Sequence, residues 1–509
     1  MNEKQLQEKI NETICSICDT LRKSIQEENY IIFLLVMLFV KYISDLYKDE
    51  KEKANEIYGE NKILKERYLS RRKFILKEDC TFDYLYSKKD EENIGEIINK
   101  TLETITTLNG KKLSNLFADV DFNSEIVFGK KKEKNEILKT LLTKLNTVDL
   151  RPSKIGNKDI IGNIYEMLLT KFAGELGKKE KEFYTPSQVS SLLAKLAEPK
   201  TNDRIYDPAC GTGSSLLKVI NEVKDKKVSV YGQEYSSSIY NLCRMNMFFN
   251  GVNDANIEWG DTLSNPLHIE NNKLMKFDVI VSNPPFLLDK WAKGFESENE
   301  NGKKKSTFKM EASMDLYNRF EYGIPPKSMG QYAFVQHMLK CLDDDGRMAV
   351  VLPHGILFRG ASERIIRKKI LEENLIDAVI GLPENLFYEF SIPVAIVVFK
   401  KNRKRKDILF IEASREYEKG KKQNILTQEN INKILDTYQN YKKIERYSYI
   451  ATMNEIKEND YNLNIKIYVD TLEKKEINID EIKKNIEKIN NKLQVLENEL
   501  QESLQELGV

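Results

Sequence analysis

Between about residue 200 and residue 412, short apolar strands alternate with helical patterns, and this alternation limits the possible folds more than any other feature. The predicted strands lie around Ile205, Val228 and Phe277 and over Met348–Leu352, Ala378–Gly381, Val394–Lys400 and Ile408–Glu412. Strands that alternate with helices form a mostly parallel sheet with helices on both faces. In such a sheet, ligands bind in the crevice at the carboxyl ends of the strands. We therefore predict an α/β fold with its functional site at that edge.

The turn after the first strand has the composition of a ligand-binding loop. Asp207 ends the strand, and Pro-Ala-Cys-Gly-Thr-Gly-Ser (208–214) leads into a helical pattern. Gly211 and Gly213 permit a tight turn and close approach of a ligand to the backbone at a helix N-terminus. The turn lacks the Gly-Lys-Ser/Thr sequence of a phosphate-binding loop, which argues against hydrolysis of nucleoside triphosphates.

The next two strands are each followed by an acidic side chain. Glu234 ends the second strand, at the place where an acid in a doubly wound fold binds ribose hydroxyls. Asp261 follows the third strand, Glu-Trp-Gly, and is placed to meet the edge of an adenine ring. Polar groups at successive strand ends belong at the crevice of an open α/β sheet. These acids therefore predict that the crevice holds a ligand with a ribose and an adenine ring.

The fourth strand stops at Asn-Pro-Pro-Phe (283–286), because two prolines cannot continue a sheet. The Asn283 side-chain oxygen and the Pro284 carbonyl can accept hydrogen bonds from one amino group, and Phe286 can stack on the ring that carries it. This arrangement suits capture of the exocyclic amine of a flipped nucleobase. Two acceptors favour a tetrahedral nitrogen that can attack an electrophilic methyl group, and no strong base is needed. In the alternative interpretation, Asn283 only caps backbone groups in a strand-ending turn.

Together these motifs resemble the amino-group DNA methyltransferases that use S-adenosylmethionine, and in particular the modification subunit of type I restriction-modification systems. The resemblance covers most of the chain. It rests on residues 182–186, 207–213 and 283–286, on 352–360, 375–387 and 459–464, which are typical of that subunit, and on the N-terminal helical segment 30–45.

The resemblance implies a fold, an activity and a set of site residues. The fold is a Rossmann-like methyltransferase sheet with an all-helical N-terminal domain and a C-terminal helix of coiled-coil type. The activity is site-specific methylation of adenine in DNA, with S-adenosylmethionine as cofactor. The implied catalytic residues are Asn283, Pro284, Pro285 and Phe286, and the implied cofactor-binding residues are Glu182, Phe183, Tyr184, Thr185, Pro186, Ser187, Asp207, Gly211, Thr212, Gly213, Ser214, Glu234 and Asp261. Tyr184 and Thr185 approach the methionine end of the cofactor, Glu234 holds the ribose, and Asp261 holds the adenine amine.

Charge and composition indicate that another protein recognises the target sequence. The chain has 509 residues, of which 80 are basic and 79 acidic, so its net charge of +1 does not attract DNA. No segment outside the catalytic sheet has the pattern of a separate target-recognition domain, and we infer that another subunit reads the bases. Several alternatives stay open, namely amino methylation of cytosine, of RNA or of protein glutamine, and an inactive assembly subunit with the same fold.

Changes of pattern divide the chain into three predicted domains. Residues 1–150 form a helical domain, residues 151–415 the catalytic domain, and residues 416–509 a helical region. Within the last, Ile and Leu recur mostly every three or four residues and predict a coiled-coil-type helix over 475–507. We expect this helix to dock on a partner; the alternative is packing on its own domain. The resemblance implies a complex of two copies of this chain with one DNA specificity subunit, together with double-stranded DNA and a restriction/translocase subunit.

Cysteine usage and hydropathy predict a cytoplasmic protein without a metal or a membrane. Six cysteines without regular pairing indicate a reducing compartment. Cys15 and Cys18 form a single CxxC motif and the chain has only three histidines, so we expect no metal site. The apolar run Ile31–Val40 is too short to cross a bilayer before Lys41 and predicts a buried helix.

Overall fold

The computed structural model describes residues 3–25, 30–156, 159–175, 184–286, 288–295, 310–387, 392–421, 423–470 and 479–506. The chain divides into two compact units, Met1–Val469 and Asp470–Val509. The predicted domain boundaries near residues 150 and 415 stay predictions.

The described part of the N-terminal region is helical. Its helices are α1 (Glu3–Ser24), α2 (Tyr30–Tyr58), α3 (Lys62–Leu69), α4 (Phe82–Ser87), α5 (Ile94–Asn109), α6 (Glu125–Phe128), α7 (Lys131–Asn146), α8 (Pro152–Ile155) and α9 (Asp159–Glu175). By length and hydropathy α2 could cross a membrane, but 83% of its most apolar 18-residue stretch is buried inside the protein. Its Lys41 and Asp45 form a buried ion pair of 2.6 Å, and the carboxylate also accepts a hydrogen bond from the Leu150 N–H. The predicted buried helix is thus present and tied to the end of the helical region.

Strands and helices then alternate as predicted. The strands are β1 (Arg204–Asp207), β2 (Ser229–Glu234), β3 (Asn256–Trp259), β4 (Ile269–Glu270), β5 (Lys273–Leu274), β6 (Phe277–Ser282), β7 (Leu342–Pro353), β8 (Ile376–Gly381), β9 (Val394–Lys400), β10 (Ile408–Glu412), β11 (Glu418–Lys419), β12 (Asn424–Ile425) and β13 (Ser448–Ala451). The helices are α10 (Ser187–Leu196), α11 (Ser214–Glu222), α12 (Ser237–Phe249), α13 (Gln331–Cys341), α14 (Ala361–Glu372), α15 (Gln428–Gln439), α16 (Met453–Glu458) and α17 (Ile465–Tyr468).

Among the described residues, nine of these strands form one sheet in the order β13-β10-β8-β9-β7-β6-β1-β2-β3. Strands β7, β6, β1, β2 and β3 run parallel to one another, and β8 pairs in parallel with β10. Strand β9 runs antiparallel between β7 and β8, and β13 is antiparallel to β10. The order of strands along the chain reverses between β1 and β6. Asp207 ends β1 and Asn283 directly follows β6, so both residues lie at the switch point where α/β sheets bind ligands.

Successive side chains of the strands enter two different cores, as the period of two in a strand requires. Tyr206 and Ile280 belong to the core that is covered by α13, α14 and α17, whereas Ile205 and Val279 belong to the core under α10, α11 and α15. Helix α12 lies against β2 and β3, and it also completes the helical N-terminal core through Phe248 and other residues. The sheet with helices on both faces and the helical N-terminal region confirm the predicted fold class.

The second unit contains helix α18 (Ile479–Glu506). Its seam residues are 51–62% exposed, namely Ile486, Ile489, Leu493, Leu496 and Leu500. The predicted C-terminal helix is present, and its docking role stays a prediction. Residues 475–478 and 507 of the predicted span lie outside the described residues.

Candidate functional site

A cavity of about 670 Å³ opens at the carboxyl ends of β1, β2, β3 and β6. Nine of the residues singled out in the sequence line it: Thr185, Asp207, Gly211, Thr212, Ser214, Glu234, Asp261, Asn283 and Pro285. They come from segments as far apart in the chain as residue 185 and residue 285, and the topology of the sheet brings them together.

The glycine turn forms the wall of the cavity at the N-terminus of α11. Gly211 has φ +53° and Gly213 has φ +79°, in the left-handed region that favours glycine. A Cβ on Gly213 would lie 2.6 Å from Cε of Met247 and 2.8 Å from Sγ of Cys243, both on α12. Any larger residue at position 213 would therefore push the turn away from α12 and alter the cavity wall.

Glu234 joins the end of β2 to this turn. Its Oε2 accepts a hydrogen bond from the Gly211 N–H at 2.9 Å, and its Oε1 accepts one from the Ser236 N–H at 2.8 Å. Burial raises the pKa of Glu234 to about 6, while the backbone N–H groups act in the opposite direction by stabilising the charge. The carboxylate is fixed in one orientation, and each oxygen keeps a lone pair for a ligand.

Asp207 joins the ends of β1 and β6. Its Oδ1 accepts hydrogen bonds from the Ala209 N–H at 3.0 Å and from the hydroxyl of Ser282 at 2.8 Å. Burial raises the pKa of Asp207 to about 7, and the nearby charge of Glu234 acts in the same direction. Because Ser282 directly precedes Asn283, this carboxylate also fixes the strand end that carries the Asn-Pro-Pro-Phe motif.

Asp261 lies beyond β3, at the other end of the cavity. Its Oδ1 accepts a hydrogen bond from the Leu263 N–H at 3.0 Å and its Oδ2 accepts one from the hydroxyl of Ser264 at 2.6 Å. Arg319 holds the loop that carries Asp261. Its guanidinium donates hydrogen bonds to the carbonyl oxygens of Thr262 at 3.2 Å and Leu263 at 2.6 Å. Sequence reasoning did not identify Arg319.

The carboxamide of Asn283 presents an unpaired oxygen. Its Nδ2 donates a hydrogen bond to the Thr185 hydroxyl at 3.0 Å. Its Oδ1 is buried and has no hydrogen-bond partner among the described residues. Both Asn283 and Thr185 line the cavity, so the motif holds a free acceptor at the site.

Other predicted residues lie beside the cavity without lining it: Tyr184, Pro186, Ser187, Gly213, Pro284 and Phe286. The hydroxyl of Tyr184 is 2.6 Å from that of Thr170 on α9. Phe286 is 8% exposed and packs edge-on against Phe387, with ring centroids 5.6 Å apart. Glu182 and Phe183 lie outside the described residues.

The segment 288–295 closes one side of the cavity and was not assigned from sequence. Trp291 is buried and its indole N–H donates to the Pro326 carbonyl at 2.9 Å. A Cβ on Gly294 would lie 2.2 Å from Cβ of Ser264, so the segment packs closely on the Asp261 loop. The available signal was indirect: the sequence 290–326, which directly follows the motif, is polar and weakly periodic, and long segments without a regular pattern are often functional.

Comparison with known proteins gives the same assignment across almost the whole chain. The N-6 DNA Methylase family matches residues 156–477, and the HsdM N-terminal domain matches residues 10–145. The type I restriction enzyme MpnII methylase subunit of Mycoplasma pneumoniae is 34% identical over 92% of this chain and 91% of its own length. The MjaVII methylase subunit of Methanocaldococcus jannaschii is 34% identical over 87% of this chain and 75% of its own length.

A solved structure agrees with these relatives. The type I restriction-modification methyltransferase subunit from Streptococcus thermophilus is 31% identical and superposes with a TM-score of 0.79, over 92% of this chain and 100% of that one. The chain therefore belongs to the N-6 DNA methylase family as a type I restriction-modification methylase subunit, an adenine-specific DNA methyltransferase whose methyl donor is S-adenosylmethionine.

Proposed function

We propose that this subunit methylates the exocyclic amine of an adenine that is flipped out of double-stranded DNA, and that it does so in the cytoplasm. The observation that carries the proposal is the buried, unpaired Oδ1 of Asn283 at the cavity. A buried acceptor without a partner costs about 1–3 kcal/mol. An amine N–H of the target base would satisfy this oxygen. If Asn283 only capped backbone groups, the oxygen would remain unpaired.

The cavity fits the methyl donor in size and charge. Its volume of about 670 Å³ lies within the usual range for cofactor sites. We assign Glu234 to the ribose hydroxyls and Asp261 to the adenine amine. The acidic lining, which includes Asp207, suits a ligand with a sulfonium cation. When bound, S-adenosylmethionine supplies an electrophilic methyl group.

The motif residues then act on the target amine. The Asn283 oxygen and the Pro284 carbonyl accept its two N–H bonds and favour a tetrahedral nitrogen, while Thr185 holds the carboxamide by accepting from Nδ2. The nitrogen bonds to the methyl carbon as the carbon–sulfur bond of S-adenosylmethionine breaks and the sulfur leaves as a neutral thioether. The nitrogen then releases a proton to water, so no residue has to act as a strong base. Phe286 remains our candidate for stacking on the base. Its side chain is 8% exposed, so the base has to reach a largely buried ring.

We further propose that this chain works within an assembly. Its relatives are named as subunits of type I restriction enzymes. The net charge of +1 and the exposed seam of α18 support a partner that supplies sequence recognition and covers the helix. We expect two copies of this chain with one DNA specificity subunit, and association with a restriction/translocase subunit.

The test is methylation by the purified complex with its specificity subunit. Asn283→Ala should abolish methyl transfer while leaving cofactor affinity nearly intact, because the lost hydrogen bond matters mainly as the nitrogen changes geometry. Long-read detection of modified bases measures the first quantity and calorimetry the second. Asn253→Ala is the matched control, since its Oδ1 is also buried and unpaired but does not line the cavity.

Wild-type turnover by Asn283→Ala on adenine would contradict the mechanism. Modification of cytosine, RNA or protein glutamine by the wild-type complex, with DNA adenine left unmodified, would contradict the substrate. A folded wild-type complex that binds cofactor and methylates none of these would support the inactive assembly subunit instead.

A further inference from the structure

Three exposed lysines lie around the opening of the cavity. Lys290 and Lys293 line it, and the Lys290 N–H donates to the Lys327 carbonyl at 2.9 Å, which places the third lysine beside the first. Within the described part of the chain, none of the three side chains forms an ion pair or a hydrogen bond. Their charges are therefore available to a ligand at the opening.

The backbone that carries these lysines is fixed. The buried Trp291 ties its segment to the Pro326 carbonyl, and the Gly330 N–H donates to the Leu288 carbonyl at 3.2 Å. Two stretches of chain are thus joined on either side of Lys290 and Lys327. Side chains that start from a fixed backbone lose less freedom when they bind, which favours a stable contact with a partner.

Acidic side chains lie deep in the cavity, whereas basic side chains lie at its opening. Asp207 and Glu234 are buried in the cavity and acidic, whereas the part of the exposed rim that the structure describes carries three lysines and one acid, Asp289. A cation is favoured inside and a polyanion across the opening. Because the whole chain has a net charge of only +1, a local patch has to provide any attraction for a polyanion.

We infer that Lys290, Lys293 and Lys327 form a phosphate-binding rim that contacts the backbone of double-stranded DNA beside the flipped nucleotide. This rests on the proposed function, since a base that enters the cavity brings its flanking phosphates to the opening. Lysine binds phosphate as a point charge and carries no sequence information. The rim therefore adds affinity and position, and leaves recognition of the target sequence to the partner.

The experiment compares two triple variants in the complex with the specificity subunit. Lys290→Gln, Lys293→Gln and Lys327→Gln together remove the rim charges. Lys224→Gln, Lys226→Gln and Lys227→Gln remove three exposed lysines just before β2, at the opposite edge of the sheet. DNA binding is measured over a salt series, with thermal unfolding as a check on folding.

Each phosphate contact adds about 0.9 to the slope of log affinity against log salt. If the three rim contacts are lost, the slope becomes shallower. Between about 0.05 M and 0.2 M salt, the affinity of the wild-type complex should then fall about 40-fold more than the affinity of the rim variant. The control variant should keep the wild-type slope, and both variants should unfold at about the wild-type temperature. Equal slopes for all three proteins would overturn the inference.

Two further outcomes distinguish a failure of the rim inference from a failure of the proposed function. If the wild-type complex methylates adenine in DNA and the rim variant keeps its salt slope, the rim inference alone fails. If the wild-type complex does not methylate DNA, the proposed function fails whatever the slopes are. A loss of affinity for RNA without a loss for DNA would also overturn the choice of partner.

Discussion

At the scale of single residues, the site consists of carboxylates held by backbone N–H groups and one carboxamide held by a hydroxyl. Burial raises the pKa of Glu234 to about 6 and of Asp207 to about 7. In the unfolded chain these groups titrate near 4. The folded protein therefore binds their protons more tightly than the unfolded chain does. This contribution to stability is present below about pH 4 and is lost as the pH rises through 6 and 7.

These pKa values predict how the cofactor stabilises the protein at different pH. A sulfonium ligand favours the ionised carboxylates, so the rise in Tm on adding S-adenosylmethionine should be larger at pH 8 than at pH 5.5. Scanning fluorimetry with and without cofactor across this range measures it. In Glu234→Gln, which cannot titrate at this position, the pH dependence should shrink. A rise in Tm that is constant with pH in the wild-type protein would contradict the assigned role of these acids.

At the scale of elements, the segment after β6 supports the loop that carries Asp261. Arg319 lies in this segment, is 2% exposed, and forms a 2.8 Å ion pair with the equally buried Asp315 while it holds two carbonyl oxygens of the Asp261 loop. It also contacts Nδ1 of His337 at 3.2 Å. Burial above all, and then the neighbouring guanidinium, hold the pKa of His337 well below its usual range.

Removing Arg319 should affect both stability and cofactor binding. Arg319→Ala leaves Asp315 buried without its cation, which costs about 3–5 kcal/mol, and it releases the Asp261 loop. Chemical denaturation and calorimetry measure the two effects. Arg364→Ala is the control, because its pair with Asp460 is exposed and should change little. Equal effects of the two variants would mean that Arg319 does not hold the loop.

The strand ends were predictable because each polar residue directly follows its own apolar run in sequence. Arg319 was not predictable, since it reaches carbonyl groups 56 and 57 residues away and no local pattern marks such contacts. The antiparallel direction of β9 could not be predicted either, because an apolar run indicates a strand but not the direction in which it runs. The packing of Phe286 was not predictable either: the motif predicts its presence, while its contact with Phe387 depends on the segment that follows β8.

At the scale of the whole molecule, the seam of α18 predicts assembly. Deleting residues 475–509 should weaken association with the specificity subunit without unfolding the sheet or abolishing cofactor binding, because the deletion removes an exposed apolar seam. Leu493→Glu with Leu496→Glu should act similarly, whereas Asn491→Glu with Gln494→Glu, on the polar positions of the helix, should not. Size-exclusion chromatography with light scattering measures the complex. Full assembly by the truncated chain would favour packing of this helix on its own domain.

The strand order also sets when the site can form during synthesis. Strand β1 pairs with β2 and β6, so the Asp207 side of the cavity meets Asn283 only after the chain has been made past residue 283. The helical N-terminal core is built mostly from earlier residues, but α12 completes it. A nascent chain therefore finishes its helical core before its sheet. Pairing between distant strands is slow, so a partly made chain exposes unpaired strand edges for longer than it exposes an incomplete helical core.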